Sequence, residues 1–284
     1  MRLDSPTIQD ALQWARSELT CSDSASLDAR VLLCHCLQVS AVYLHTWPEK
    51  LLDENTWQQF QDLIRKRVQG LPVAHLTGTR DFWTLSLTVN EHTLIPRPET
   101  ELLVETALSL FDDTPIDALD LGTGTGAIAL ALASERQSWT VTGVDRIEQS
   151  VELARLNARQ NNLEQVRFFA SNWFDAIDQH RYSLIISNPP YVEPHSPYLT
   201  QGDVRFEPLS ALTAEDLGLA DLRKIISQAS QYLVDSGWLL LEHGHAQGQA
   251  VRDLMQQAGF MGINTLKDLA GLDRVTLGQW PDMV

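Results

Sequence analysis

No stretch of this chain approaches the roughly 20 consecutive apolar residues that a helix needs to cross a bilayer. Met1 to Asp10 likewise holds no apolar core of a secretion signal. A cytoplasmic protein that touches no membrane is therefore expected. Cysteine is scarce: Cys21, Cys34 and Cys36 make an odd set, and the close pair falls in a helical pattern and not at metal-ligand spacing. That reads as buried thiols in a reducing compartment. Positive charge is also in deficit. With 21 Lys and Arg against 37 Asp and Glu, the formal net charge is −16, the reverse of the basic footprint by which a duplex binder releases counterions from phosphates. Acidity alone names no partner, but it argues against bare duplex DNA.

What is present is organised in three parts. From Pro6 to Gly70 apolar residues recur at helical spacing: Ile8, Leu12 and Leu19, then Leu27, Val31 and Leu37, then Trp57, Phe60, Leu63, Ile64 and Val68, with Gly70 and Pro72 as the stop. This predicts an all-helical domain over residues 1–75. Between Arg80 and Leu94 the alternation Thr84 to Asn90 predicts a β-hairpin turning through Asn90, Glu91 and His92, a linker over residues 76–95. A proline-stiffened loop, Ile95-Pro96-Arg97-Pro98-Glu99-Thr100, then feeds a helix through Phe111, with Glu99 and Glu101 at its positive end.

Residues 96–284 form the largest part. Strands are expected at Ile116 to Leu121, Thr140 to Asp145, Gln165 to Ala170, Tyr182 to Ser187 and Gly237 to His243, interleaved with helices such as Ile147 to Asn161 and Leu219 to Val234. A last antiparallel pair is expected at Gly262 to Lys267 and Leu272 to Trp280. The order predicts an α/β fold with a doubly wound, mostly parallel, seven-stranded sheet.

The first of these strands ends in Asp120-Leu121-Gly122-Thr123-Gly124-Thr125-Gly126-Ala127 and runs into an apolar helix. Such a turn lets backbone approach a ligand closely. The second strand ends in Asp145, where a carboxylate can accept both hydrogen bonds of a ribose diol. Together they describe a nucleoside-bearing cofactor without choosing it, since Gly122, Gly124 and Ala127 also fit a dinucleotide fingerprint. After the third strand, the Trp173 indole could cover an adenine face and Asn172 could accept its amino hydrogens; core packing explains Trp173 by itself almost as well.

The fourth strand ends in Ser187-Asn188-Pro189-Pro190-Tyr191, where open α/β sheets place their chemistry. Each proline fixes its own φ, lacks an N–H and extends the residue before it, giving a rigid loop of acceptors without competing donors. A carboxamide or ring-amino NH₂ has a delocalised lone pair and needs help to attack a methyl group. If Asn188 Oδ1 and the Pro189 carbonyl accept its two hydrogens, they aim the nitrogen at a sulfonium methyl and favour the positive charge that develops. Tyr191 would stack on the planar group. Asn-Pro-Pro is also an ordinary turn sequence; its place after the glycine loop and the acidic strand end raises its weight.

With these residues in place, the chain resembles the PrmC/HemK family, the protein-(glutamine-N5) methyltransferases, over essentially its whole length. The helical domain, the hairpin, the Ile95-Pro96-Arg97-Pro98-Glu99-Thr100 loop, Asp120 to Gly126, Asn188 to Tyr191 and Glu242-His243-Gly244 carry the resemblance. It implies a class I, Rossmann-like, S-adenosyl-L-methionine-dependent fold and S-adenosyl-L-homocysteine as product. The implied substrate is the glutamine of the Gly-Gly-Gln loop in class-I peptide chain release factors, with no direct nucleic acid, no membrane and a monomeric enzyme. It further implies cofactor contacts at Gly122, Thr123, Gly124, Thr125, Gly126, Asp145, Asn172, Trp173 and Asn188, substrate contacts at Asn188, Pro189, Pro190 and Tyr191, and catalysis by Asn188, Pro189 and Tyr191. Asn172 departs from the aspartate more usual there. The acidic balance suits a partner that is basic around its tip.

Three other readings compete. A DNA methyltransferase acting on adenine N6 or cytosine N4 would use the same tetrapeptide, but the acidic charge and the lack of a basic insertion count against it. A nicotinamide dehydrogenase explains the glycine loop and leaves the acceptor loop without purpose. An inactive binding module would not need an intact Asn188 to Tyr191 segment. Glu242, His243 and His245 lack the further ligand a metal requires, and Cys34-His35-Cys36 reads as helix packing, so no metal is expected.

Overall fold

The computed structural model describes residues 5–20 and 22–282. Residues 1–4, Cys21 and the last two residues lie outside the described residues. Residues up to Thr79 together with Thr200–Phe206 form one compact unit; Arg80–Leu199 and the chain from Glu207 onward form a second.

The first unit contains α1 (Ile8–Glu18), α2 (Ala25–Leu37), α3 (Ala41–Thr46), α4 (Glu54–Val68) and α5 (Val73–Thr77). Thr7 starts α1 with a reciprocal capping box, its hydroxyl accepting the Asp10 N–H while the Asp10 carboxylate accepts the Thr7 N–H, both at 3.1 Å. The core is Ile8, Ala11, Ala15, Ala29, Leu32, Leu33, Phe60 and Ile64, with Trp14 edge-on to Trp57 at 4.9 Å. One expectation needs correction: Leu27 and Val31 are exposed, because α2 turns Asp28 inward, where its carboxylate pairs with Arg67 Nε at 2.8 Å, and buries Ala29, Leu32 and Leu33 beside it. Val68, the last residue of α4, is exposed as well. α4 ends at Val68, ahead of Gly70 and Pro72 as expected, and Pro72 stands at the N-cap position of α5. Arg67 also donates to Asp203 Oδ1 at 2.6 Å, and Arg205 donates to the Gln69 carbonyl at 3.2 Å. These bonds bring residues 200–206 into this unit, although the sequence reading counts them with residues 96–284.

The second unit opens with a hairpin of β1 (Thr79–Phe82) and β2 (Leu85–Thr88). It turns at Trp83 and Thr84, not at Asn90 to His92. Trp83 takes a left-handed φ of 57°, a cost for a bulky residue, and is held there by Glu101, which accepts its backbone N–H at 2.8 Å, and by Glu135, which accepts its indole N–H at 2.7 Å.

The remaining elements are α6 (Glu101–Leu110), β3 (Asp117–Leu121), α7 (Ala127–Glu135), β4 (Thr140–Asp145), α8 (Glu148–Gln160), β5 (Arg167–Ala170), β6 (Tyr182–Ser187), α9 (Leu209–Leu212), α10 (Glu215–Gly218), α11 (Ala220–Ala229), β7 (Leu233–Glu242), α12 (Gly248–Ala258), β8 (Met261–Lys267) and β9 (Asp273–Gln279). Among the described residues the sheet has seven strands in the order β5-β4-β3-β6-β7-β9-β8. β5 to β7 are parallel, while β9 runs antiparallel to both β7 and β8. The expected helix Leu219 to Val234 is too long, since β7 already starts at Leu233 with a shift of register against β6. α7 is buried from Ala127 through Ala133, as its uniformly apolar sequence requires.

Chain order reverses between β3 and β6: β4 and β5 extend the sheet to one side, β7 and its successors to the other. That switch point is where open α/β sheets leave a crevice at the carboxyl ends of the strands.

Candidate functional site

The crevice is present in the second unit as a solvent-open cleft lined by residues from the ends of β3, β4, β5 and β6 and from the Pro96–Thr100 loop. Of the residues singled out in the sequence, Gly122, Thr123, Gly124, Thr125, Asp145, Asn172, Trp173, Asn188 and Pro190 line it. Gly126, Pro189 and Tyr191 do not. Gly126 lies below as the cap of α7, Pro189 is buried between its two lining neighbours, and Tyr191 turns toward Glu242.

The floor is backbone. Gly122 and Thr123 donate their N–H groups to the Val144 carbonyl at 2.8 and 2.9 Å, which folds the loop after β3 over the end of β4. Gly122 has a φ of +71°, and a Cβ there would meet the Trp173 ring at 3.3 Å, so glycine both permits the turn and admits the indole. Thr123 Oγ1 donates to Asp120 Oδ2 at 2.6 Å. Burial pushes the Asp120 carboxyl up to about 7, against the Thr123 hydrogen bond, which lowers it.

Asp145 ends β4. Its Oδ2 accepts the Gly124 N–H at 3.0 Å and its Oδ1 the Ile147 N–H at 2.9 Å. Both oxygens are thus fixed in direction and keep lone pairs for a diol. Burial raises the Asp145 carboxyl above its ordinary value, and the two backbone donors oppose that rise. Trp173, at a left-handed φ of 56°, donates its indole N–H to Asp221 Oδ1 at 3.2 Å, which sets the plane of the ring. The Asn172 Nδ2 donates to Asp175 at 2.9 Å and leaves its amide oxygen as an acceptor.

Asn188 follows β6. Its Nδ2 donates to Thr100 Oγ1 at 3.1 Å, so the amide nitrogen is occupied and Oδ1 is the end available to a ligand. Tyr191 donates its hydroxyl to Glu242 Oε1 at 3.1 Å, while its backbone carbonyl accepts Gln247 Nε2 at 3.0 Å. The same Gln247 nitrogen donates to the Leu217 carbonyl at 3.1 Å. It thereby holds α10, in which Asp216 and Leu217 both have a φ of 56°, a left-handed strain of the kind that collects at functional sites. The Pro96-Arg97-Pro98 loop is anchored by buried Glu207, which takes the Ile95 N–H at 3.0 Å and pairs with the Arg97 guanidinium.

Thr100, Glu207, Asp221 and Gln247 escaped sequence reasoning. Each acts through a partner far away in the chain, so no local spacing announces it. His243 is a satisfied strand-end residue, bonded to Thr276 Oγ1 at 2.8 Å and to the Gly244 carbonyl at 2.9 Å. Among the described residues no group of three His, Cys, Asp or Glu side chains could hold a metal ion, and no helix is long and apolar enough to cross a membrane. Cys34 and Cys36 are free and partly buried, and burial pushes the Cys36 thiol up to about 11.

Comparison with known proteins places the chain among its relatives. Residues 10–78 match the PrmC N-terminal domain family and residues 98–202 the methyltransferase small domain family. The chain is 50% identical over 282 residues to the release factor glutamine methyltransferase of Shewanella oneidensis, covering 99% of both chains. It is 52% identical to that of Pseudomonas aeruginosa, covering 93% of this chain and 96% of that one, and 46% identical to that of Escherichia coli, covering 96% and 98%. Among solved structures, a methyltransferase from Pyrococcus furiosus superposes with a TM-score of 0.54 at 20% identity, over 78% of this chain and 98% of that one. The hMettl16 catalytic domain gives 0.55 at 17% identity, over 77% and 80%. These two likenesses concern the fold alone. By its identity to relatives along nearly the whole chain, the protein belongs to the release factor glutamine methyltransferase family.

Proposed function

We propose that this enzyme transfers the methyl group of S-adenosyl-L-methionine to N5, the side-chain amide nitrogen, of the glutamine in the Gly-Gly-Gln motif of class-I peptide chain release factors. S-adenosyl-L-homocysteine is the second product. The observation that carries this reading is Asn188: its nitrogen is committed to Thr100, so its oxygen faces the ligand side at the end of β6, next to the glycine turn at the end of β3.

The cleft fits the cofactor. Asp145, with both oxygens directed by backbone donors, would take the ribose diol; the Gly122–Gly126 turn would lie against the methionine portion; Trp173, its plane set by Asp221, would cover the adenine, and the Asn172 oxygen would accept the adenine amino group. When bound, the cofactor supplies an electrophilic methyl carbon on a positively charged sulfur. Asn188 Oδ1 and the Pro189 carbonyl accept the two amide hydrogens, which orients the nitrogen lone pair toward that carbon and stabilises the charge that builds on nitrogen. The N-methylated amide would then release one proton to solvent, and S-adenosyl-L-homocysteine would leave the cleft. Tyr191, tied to Glu242, walls the amide plane. The protein works in the cytoplasm as a monomer.

The test is labelled methyl transfer to a purified release factor, to the same factor with its Gly-Gly-Gln glutamine replaced, and to DNA. Label on the intact factor alone is expected. Label on DNA alone would favour an amino-methylating DNA enzyme.

A further inference from the structure

Glu242 ends β7 in the middle of the sheet with 1% of its surface exposed, and no step above uses its charge. Oε1 accepts the Tyr191 hydroxyl at 3.1 Å, but Oε2 is buried with no hydrogen-bond partner among the described residues. A buried, half-satisfied carboxyl costs stability, and an apolar side chain of similar volume would pack there at less cost. The carboxyl has no ion pair among the described residues either. Arg274 on β9 and Glu99 before α6 are the charged groups that face it, and Arg274 is engaged by Asp268 at 3.1 and 3.2 Å.

What surrounds Glu242 is the acceptor segment. Tyr191 reaches it directly. Thr100 borders it too, its hydroxyl opposing the upward push of burial on the carboxyl, and Thr100 Oγ1 is the atom that accepts Asn188 Nδ2. Of the two tetrapeptide side chains that can orient a substrate amide, Tyr191 is thus bonded directly to this carboxyl, and Asn188 is held by a threonine that lies beside it.

We propose that Glu242 is a positioning residue for methyl transfer: it fixes the Tyr191 ring by hydrogen bond and, through Thr100, the rotation of the Asn188 amide. This rests on the assignment of Asn188 and Tyr191 to the substrate amide. Glu242 touches neither cofactor nor substrate, so its removal should slow turnover while leaving the cofactor cleft alone.

The experiment uses the full chain, with steady-state methyl transfer to a purified release factor and calorimetric binding of S-adenosylhomocysteine. Glu242→Met fills the space without an acceptor and is expected to lower kcat by about 10- to 100-fold, the scale of a small misplacement of reacting groups. Affinity for S-adenosylhomocysteine should stay within about twofold. Glu242→Gln keeps an acceptor for Tyr191 and should recover kcat to within about threefold of wild type. In a Tyr191→Phe/Thr100→Val background, Glu242→Met should cost less than about threefold further, because both links are already cut. Wild-type kcat in folded Glu242→Met, or an undiminished loss in the doubly substituted background, overturns the inference. If Glu242→Met does not fold, Tyr191→Phe and Thr100→Val each cut one link, and wild-type kcat in both overturns it as well. Full activity in Asn188→Ala would instead remove the underlying assignment, so the two failures are distinguishable.

Discussion

Asn188 Nδ2 donates to Thr100 Oγ1 at 3.1 Å across 88 residues of sequence, and this bond decides which end of the amide a substrate meets. Asn188→Ala deletes the acceptor and is expected to lower the rate of methyl transfer by about two to three orders of magnitude, the scale for one preorganised polar contact. Single-turnover kinetics at saturating cofactor measures it. A rate within a factor of about three of wild type would refute the role of Asn188.

Asp145 offers the ribose two oxygens already oriented by Gly124 and Ile147. Asp145→Asn places an NH₂ where one backbone N–H now points, so the side chain must rotate or lose a bond. Binding of S-adenosylhomocysteine, measured by calorimetry, should weaken by about 10- to 100-fold, or about 1.4 to 3 kcal/mol. The fold should be retained, as judged by circular dichroism.

Gly218 has a φ of +81°, and a Cβ there would lie 2.1 Å from the Tyr191 carbonyl oxygen. Gly218→Ala must therefore displace the backbone of the acceptor segment. Turnover is expected to fall by at least about tenfold, with affinity for S-adenosylhomocysteine changed much less. Equal losses of both would show that the strain spreads into the cofactor cleft.

Asp120 and Glu242 are both buried carboxyls raised to about 7, from ordinary values of 3.8 and 4.5. Each binds its proton more tightly folded than unfolded, so each favours the fold fully below about pH 4 and loses that contribution as pH rises through about 7. One such group gives a slope of at most about 1.4 kcal/mol per pH unit. Urea denaturation at pH 5 and pH 8 should show Asp120→Asn and Glu242→Gln gaining stability relative to wild type at the higher pH. A difference that stays constant between the two would mean that these carboxyls do not titrate on unfolding.

The parts of this molecule that were readable in sequence are those whose cause is local. β4 and β6 have their expected bounds, because both are short and rich in β-branched and aromatic residues, with a polar or acidic residue at the carboxyl end, and the residues at their ends follow from that. The glycine turn after β3 is visible because backbone that must approach a ligand needs glycine. The hairpin turn at Trp83 was not readable: a tryptophan in left-handed conformation has no local justification and exists because Glu101 and Glu135 bind it from elsewhere. α2 departs from its apolar spacing for the same reason, since the inward turn of Asp28 depends on Arg67, 39 residues away. Glu207 and Glu242 look like ordinary acidic residues until the fold buries them.

Leu121 and Ser187 are paired in register across β3 and β6, and the Ser187 hydroxyl donates to the Leu121 carbonyl at 2.6 Å. The turn that would hold the methyl donor and the segment that would hold its acceptor therefore start from neighbouring rungs of one backbone ladder, like two rails bolted to the same sleeper. Their gauge is set by peptide hydrogen bonds common to every sequence that makes this sheet. Surface loops can diverge to suit a different client protein while the span that the methyl group crosses stays the same.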